Sequence, residues 1–206
     1  MRAVLAACAI LISLGFSAAK ANPVALVGGE TRIQVTFDLA SAGLTPSLQG
    51  SATAESNGFG FPVTGGALDG IAGTIEHEGS GVFLTDGSDT VFAGNFIIDT
   101  VQQLVFGDVE VNNNPFADDA PLFSFDASSV SVMELTDLDN PSLALLITGT
   151  LAGALNAVFG TPLSLEGEQF ALAATAPIPT PIPGAIWLFA AGAAGLTAAR
   201  RRKANA

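Results

Sequence analysis

The side chains most able to do chemistry here are a lone histidine and a few acidic turns. His77 is the only histidine, and Glu76 and Glu78 flank it. On a strand the two glutamates would share one face and His77 would lie on the other. One imidazole without a second histidine or a cysteine makes a poor transition-metal site. We interpret His77 as a structural residue that bonds a nearby backbone group, with a ligand role as the alternative.

The acidic turns offer carboxylate oxygens, which calcium prefers. Asp86 and Asp89 lie in one turn, Asp137 and Asp139 in another, and the pair 118–119 in a third. None of these segments matches a full calcium-loop pattern, and Asp and Asn also favour ordinary turns. Asp86, Asp89, Asp137 and Asp139 are therefore candidate metal ligands with a plain turn role as the alternative. Apart from calcium, the residues predict no cofactor.

The residues that catalysis would need are sparse. A Ser-His-Asp group would have to use His77, and no G-x-S-x-G segment presents a serine. Paired carboxylates for sugar hydrolysis stay open, because their separation is invisible in a sequence. The chain has no tyrosine, and its one tryptophan, Trp187, lies in the tail, so sugar-stacking rings are limited to phenylalanine. The sequence favours a protein that is not an enzyme.

The elements that must position these side chains are mainly short strands. Residues 32–39 alternate apolar and polar side chains, as a half-buried strand does. Similar runs recur about every ten residues, with a turn expected at 64–66 and a polar loop around 112–119. The predicted strands are 32–39, 47–54, 58–63, 73–78, 82–85, 90–99, 103–111, 122–126, 129–135, 143–148 and 169–173.

One stretch has helical spacing instead. Its apolar residues recur at intervals of four, three and one: Leu151, Leu155, Val158 and Phe159. Thr150 could cap its start, and Gly160 could end it in a left-handed conformation. The fold class that follows is all-β, an antiparallel β-sandwich or curled sheet with one short helix near 150–160.

The N-terminus predicts export. Arg2 precedes an apolar run at 3–16, and Ala19-Lys20-Ala21 forms an A-x-A cleavage site. Residues 1–21 are therefore interpreted as a signal peptide with a signal helix, cleaved after Ala21. Because Cys8 is the only cysteine, the mature chain contains none and must be stable without disulfides.

The C-terminus predicts a membrane anchor in three parts. Residues 177–184 form a proline-rich spacer, 185–199 an uncharged apolar helix, and 200–206 a basic tail. The helix is a minimal span for a bilayer core of about 30 Å. By the positive-inside rule, the basic tail lies in the cytoplasm and the rest of the chain outside the inner membrane.

Between these segments, residues 22–176 are long enough for one domain. The domain holds all 19 acidic residues and one basic residue, Arg32, so its formal charge is −18. A field of that sign repels nucleic acid and anionic lipid and attracts divalent cations or basic partners. We expect no nucleic-acid partner.

The tail resembles the PEP-CTERM sorting signal, and within it the VPLPA-CTERM variety. A proline-rich run, a short apolar helix and a terminal arginine cluster carry the resemblance. The matching positions include Pro181, Pro183, Gly184, Ala185, Trp187, Arg200, Arg201 and Arg202. The resemblance implies an exosortase-type processing enzyme in a Gram-negative bacterium, cleavage near the prolines and transfer to the cell surface or release. It also implies a link to exopolysaccharide.

The middle of the chain resembles HtaA-type β-domains. The cadence of 61–66, 73–79 and 95–99 carries this second resemblance. It implies the β-fold of a surface haem-acquisition module in which Tyr ligates the haem and His supports it. Tyr is absent here and only His77 stands at a plausible position, so the resemblance extends to the fold and not to haem.

Two functional hypotheses follow. The first is a non-enzymatic exported cell-surface or matrix protein, held transiently in the inner membrane with its C-terminus in the cytoplasm. The second is a surface ligand-binding module for calcium, haem or a glycan on an acidic β-domain.

Overall fold

A single antiparallel sheet of eleven strands dominates the computed structural model, which describes residues 22–160 and 165–180. The all-β prediction is confirmed. The strands are β1 (Val24–Val35), β2 (Thr45–Gly50), β3 (Thr53–Glu55), β4 (Gly58–Pro62), β5 (Gly65–Asp69), β6 (Ala72–Thr85), β7 (Thr90–Asp99), β8 (Leu104–Val111), β9 (Asn114–Ser124), β10 (Leu143–Ile147) and β11 (Gln169–Pro179).

The sheet curls until it closes on itself. Its strand order is β11-β10-β9-β8-β7-β6-β5-β1, and β1 also pairs with β11, from Leu26 opposite Pro179 to Val35 opposite Ala171. Eight strands therefore form a closed circuit. β4 pairs with the second half of β1, β3 pairs with β4, and β2 pairs with β6. Of the two predicted forms, the curled sheet is the one observed.

The alternation of side chains along each strand places the apolar core inside this circuit. On β8, Val105 and Val109 are buried, while their neighbours are only partly covered. On β9 the inward position Leu122 is fully buried. Successive side chains of a strand point to opposite faces, so the inner face collects the branched and aromatic residues.

The predicted helix is present as α2 (Gly149–Phe159). It packs against β9 and buries Leu151, Ala152, Ala154 and Leu155. Gly160 ends it in the left-handed conformation, with φ +58°, as predicted. The expected cap at Thr150 was wrong, because the helix begins two residues earlier, at Gly149, and Thr148 is the N-cap. The Thr148 hydroxyl donates to the Pro121 and Leu122 carbonyls instead of capping the helix.

The strand predicted at 129–135 is not there. Residues Ala127–Ser129 form a 3₁₀ turn, and α1 (Val132–Leu135) follows. Ser131 and Glu134 form a reciprocal capping box that satisfies the first backbone N–H groups of α1. This local hydrogen bonding outweighs the apolar pattern. The side chains of Val132 and Met133 are exposed and do not pack against the sheet.

Two predicted loops are strands. Gly65 and Gly66 open β5, where Gly66 with φ +106° lies against the backbone of Thr74 and Ile75. Residues 114–119 form the exposed first half of β9, whose pairing with β8 is interrupted by bulges. A glycine pair indicated a turn at 64–66 and polar composition indicated a loop at 112–119, but backbone pairing with the neighbouring strand satisfies the hydrogen bonds at both places.

The last strand is longer than the sequence predicts. β11 continues to Pro179, so the first three residues of the spacer predicted at 177–184 are paired with β1. Within 22–160 and 165–180, no helix is long and apolar enough to cross a membrane. The predicted signal helix, the cleavage residues Ala19 and Ala21, the helix at 185–199 and the sorting residues from Pro181 to Arg202 lie outside the described residues.

Candidate functional site

The inside of the closed sheet contains a cavity of about 370 Å³. Its wall is almost entirely apolar, and the polar exceptions are His77 and three threonines. The inward side chains that shape it include Phe61, Val91, Ala93, Phe96, Leu145 and Ala173. A closed sheet of about eight strands has an interior wide enough for packed side chains or for one small ligand. Small residues such as Ala93 and Ala173 keep part of that interior open.

His77 lies in the wall of this cavity and is 1% exposed. Its Nδ1 is 2.9 Å from the carbonyl oxygen of Pro62, and its Nε2 is 3.0 Å from Oγ1 of Thr31. The hydroxyls of Thr31 and Thr175 are hydrogen-bonded to each other at 2.8 Å. β6, β1 and β11 thus meet in one small polar cluster inside an apolar wall.

The protonation state of His77 follows from these partners. Burial lowers the pKa of His77 below its ordinary 6.5, and hydrogen bonds to the backbone at Pro62 and Phe61 offset only part of that effect. The ring is therefore neutral at pH 7. A carbonyl can only accept, so Nδ1 carries the proton and donates it to Pro62. Nε2 then accepts the single proton of the Thr31 hydroxyl, so that Thr175 is the donor in the Thr31–Thr175 pair and both ring nitrogens are occupied.

A bulge lies next to His77 in β6 and is held by hydrogen bonds to the backbone. The register of β6 against β7 shifts between His77 and Gly81, and Ser80 donates its hydroxyl to the His77 carbonyl at 2.9 Å. Asn95, opposite on β7, has φ +51° and accepts from the N–H of Gly79. The prediction that His77 bonds a backbone group is confirmed, because Pro62 is that group.

The cavity reaches the surface at one end of the sheet. Ile71 in the β5–β6 turn and Val101 in the β7–β8 turn line it, and these side chains are 60% and 69% exposed. The two turns are held together at Thr100, whose backbone N–H and hydroxyl both donate to the Gly73 carbonyl. We call this opening, between Ile71 and Val101, the mouth.

The acidic turn after β6 is organised by its own backbone. One Asp86 carboxylate oxygen accepts from the N–H groups of Ser88 and Asp89, at 2.8 and 2.9 Å. Those bonds, led by the one from Asp89, lower the pKa of Asp86. Asp89 accepts from the amide of Asn112 at 2.7 Å. Asp86 and Asp89 therefore stabilise the turn and the adjoining β8–β9 turn.

The second acidic turn has the same character. The Asp137 carboxylate accepts from the backbone N–H groups of Asp139 and Asn140 and from the Asn140 side chain, which chiefly lowers the pKa of Asp137. Asp139 accepts from Arg32 at 3.4 Å. Within 22–160 and 165–180, no group of three His, Cys, Asp or Glu side chains could hold one metal ion. The four candidate ligands are thus not brought together.

Sequence reasoning identified His77 but missed its surroundings. Thr31 and Thr175 lie 144 positions apart and meet only because β1 and β11 pair. The cavity itself depends on small residues at inward positions of several strands, which no single strand pattern indicates. The only indication of the cavity in the sequence was the high content of small alanine side chains at 171–176, within an apolar strand.

Comparison with known proteins identifies the fold. No family model matches the chain, and no curated protein matches it. The similar solved structures include the C-terminal and N-terminal domains of HtaA from Corynebacterium glutamicum. Their TM-scores are 0.55 and 0.54 at 14% and 13% identity, with 76% of this chain and 99% of each domain covered. The HtaA-type β-fold predicted from 61–66, 73–79 and 95–99 is confirmed.

Proposed function

We propose that this protein is an exported β-domain that binds a small apolar molecule inside its closed sheet. The observation that carries the proposal is the apolar cavity of about 370 Å³ that opens at the mouth. Ligand sites in proteins are usually clefts of about 300–1,000 Å³, mostly apolar, with few polar groups. The cavity has this size and this chemistry, with the cluster of His77, Thr31 and Thr175 as its polar feature.

The energetics favour an occupied cavity. The lining of an empty apolar cavity lacks the dispersion contacts that a packed core would have. A bound apolar molecule restores those contacts and gains roughly 25 cal/mol for each Å² of apolar surface removed from water. Any ligand that binds only the folded chain also stabilises it. A ligand should therefore raise the unfolding temperature.

Haem does not fit the residues present. The resemblance to HtaA-type domains implied ligation by Tyr with support from His, and this chain contains no tyrosine. His77 cannot replace it without losing a bond, because its two ring nitrogens are engaged by Pro62 and Thr31. We propose an apolar ligand without a metal centre.

We also propose that the role is binding and not catalysis. The described polar groups of the cavity wall are all used in structural hydrogen bonds. His77 bonds Pro62 and Thr31, Thr31 bonds Thr175, and Thr100 bonds Gly73. A catalytic base needs a lone pair within reach of its substrate, and the Nε2 lone pair of His77 is already taken by a hydroxyl.

The first test asks what the protein carries when it is isolated. Residues 22–180, produced in the periplasm and purified without detergent, are weighed by mass spectrometry under non-denaturing conditions. We expect a fraction heavier than the polypeptide by one small molecule, which denaturation releases. The same measurement on Ala93→Leu, which fills the cavity, should show much less of this fraction, and Ala157→Leu on the exposed face of α2 should match the wild type.

The proposal is wrong if the wild-type domain is folded by circular dichroism, carries no added mass and takes up no apolar fluorescent probe. Equal amounts of bound molecule in wild type and Ala93→Leu would place the ligand outside the cavity, which also contradicts it.

For the whole chain we propose export followed by sorting through the tail at 177–206. The support is the signal peptide at 1–21, the anchor-like tail and the emergence of the chain from β11 at Thr180. Mass spectrometry of protein from the native envelope should show a mature C-terminus near Pro181–Ala185. If every molecule still ends at Asn205-Ala206, the tail is a plain anchor and no processing enzyme acts.

A further inference from the structure

Exposed apolar side chains gather at the end of the sheet that carries the mouth. Ile71 and Val101 flank the mouth, and the start of β1 and the end of β11 add three more: Val24, Val27 and Ile178. The pairs Val24–Leu68 and Leu26–Pro179 bring these strand ends beside the β5–β6 turn. The other large apolar side chains exposed in the described part are Phe116, Val132 and Met133.

The same end is where the chain leaves toward its predicted anchor. The backbone N–H and the hydroxyl of Thr180 donate to the Ala25 carbonyl at 2.8 and 2.7 Å, so the last described residue is fixed beside the start of β1. Five residues further, Ala185 begins the predicted membrane helix. Five residues of extended chain span at most about 16–18 Å. An anchored chain therefore keeps this end close to the bilayer surface.

The negative charge of the domain limits the kind of membrane surface on which this end could dock. The domain carries 19 acidic residues against one arginine, and the acids at this end include Asp69, Asp99 and Asp126. Asp99 accepts from the N–H groups of Val101 and Gln102, so a carboxylate lies directly beside the mouth. Anionic headgroups would be repelled. Apolar tips surrounded by acids suit the interface of a bilayer whose headgroups have no net charge.

We propose that this end of the sheet, formed by Val24, Val27, Ile71, Val101 and Ile178, docks on a zwitterionic lipid bilayer while the tail anchors the chain. Docking places the mouth against the lipid, which is the natural source of an apolar ligand. The inference depends on the predicted anchor and not on whether the cavity is occupied.

The test measures how close single residues come to lipid. The mature anchored chain, residues 22–206, which contains no cysteine, is placed in phosphatidylcholine nanodiscs, so that one engineered cysteine is the only thiol. Val101→Cys and Ile71→Cys report the docking end, and Ser88→Cys, in the exposed β6–β7 turn at the opposite end, is the matched control. Each cysteine carries a fluorescent dye, and a fraction of the lipids carries a doxyl quencher in the upper acyl chain.

We expect at least a twofold quenching of the dye at 101 and 71, and little at 88. No quenching at 101 and 71 would overturn the proposal, because a domain that merely floats on its tether keeps all three dyes in water. Equal quenching at 101 and 88 would also overturn it, because the domain would then lie on the lipid without a preferred end. Neither result depends on ligand in the cavity, which the mass measurement tests separately.

Discussion

The surroundings of His77 determine both the protonation state and the tautomer of its ring. The His77 ring is neutral because it lies in an apolar wall, and its tautomer is fixed because a carbonyl faces Nδ1. The sequence alone favoured this structural interpretation over a metal site. It could not name the partners, because Pro62 and Thr31 reach the ring from two other strands.

The lowered pKa makes stability depend on pH. As the pH falls below about 6.5, the unfolded chain binds a proton at His77 before the folded chain does. Stability is therefore complete above that pH and is lost between it and the lower folded pKa, by up to about 1.4 kcal/mol per pH unit. We expect urea unfolding to show this loss between pH 7.5 and 5.5.

The control for this prediction is His77→Asn, whose amide can still donate to Pro62 but does not titrate. It should be less stable at pH 7.5 and should lose the pH slope in this range. Aspartates and glutamates, whose ordinary pKa values are 3.8 and 4.5, contribute equally in both proteins. If the slope is the same in both proteins, His77 is not the group responsible.

At the scale of elements, the accuracy of prediction depends on how local the signal is. β7 and α2 are found almost as predicted, because a period of two or of 3.6 is visible within each segment. The segment 129–135 was misassigned although the capping box of Ser131 and Glu134 stood in the sequence as S-x-x-E. β5 was missed because a glycine pair can open a strand as well as make a turn.

Substitution of two glycines, Gly94 in β7 and Gly153 in α2, is expected to have opposite effects on stability. The Phe92 ring lies over Gly94, where an added Cβ would come within 2.3 Å of the ring and 2.8 Å of the Ser80 carbonyl oxygen. Gly94→Ala should therefore destabilise the protein by about 1–3 kcal/mol, as overpacking does. Gly153, exposed on α2, has open space around its Cα, so Gly153→Ala should stabilise by about 0.5–1 kcal/mol.

Chemical denaturation of both glycine variants at pH 7.5 checks this pair of predictions. They share one substitution and differ only in the space around the new methyl group. A Gly94→Ala protein as stable as the wild type would mean that β7 and β6 can move apart locally at no cost.

The sequence predicts least about the arrangement of the whole molecule. Closure of the sheet needs β1 to pair with β11 across most of the domain, and nothing near either strand records that pairing. The cavity follows from closure together with small inward residues such as Ala93 and Ala173, so it could not be predicted before the strand order was known. The four acidic candidates, by contrast, were visible in the sequence, and their carboxylates accept hydrogen bonds in or beside the turns.

In the whole molecule, the proposed anchoring and the proposed binding involve the same end of the sheet. The closed sheet holds an apolar cavity, the mouth opens beside Ile71 and Val101, and the chain leaves at the same end toward its predicted anchor. In the proposed arrangement, the acidic surface keeps the domain soluble outside the membrane. The binding proposal is the central claim, because docking matters functionally only if the cavity takes up a molecule.

The measurement that tests this claim most directly is a titration of residues 22–180 with the apolar fluorophore N-phenyl-1-naphthylamine. The account predicts one saturable site per chain, at least tenfold weaker binding to Ala93→Leu, and unchanged binding to Ala157→Leu. A folded wild-type domain with no saturable binding, or a folded Ala93→Leu domain that binds as tightly as the wild type, would contradict it.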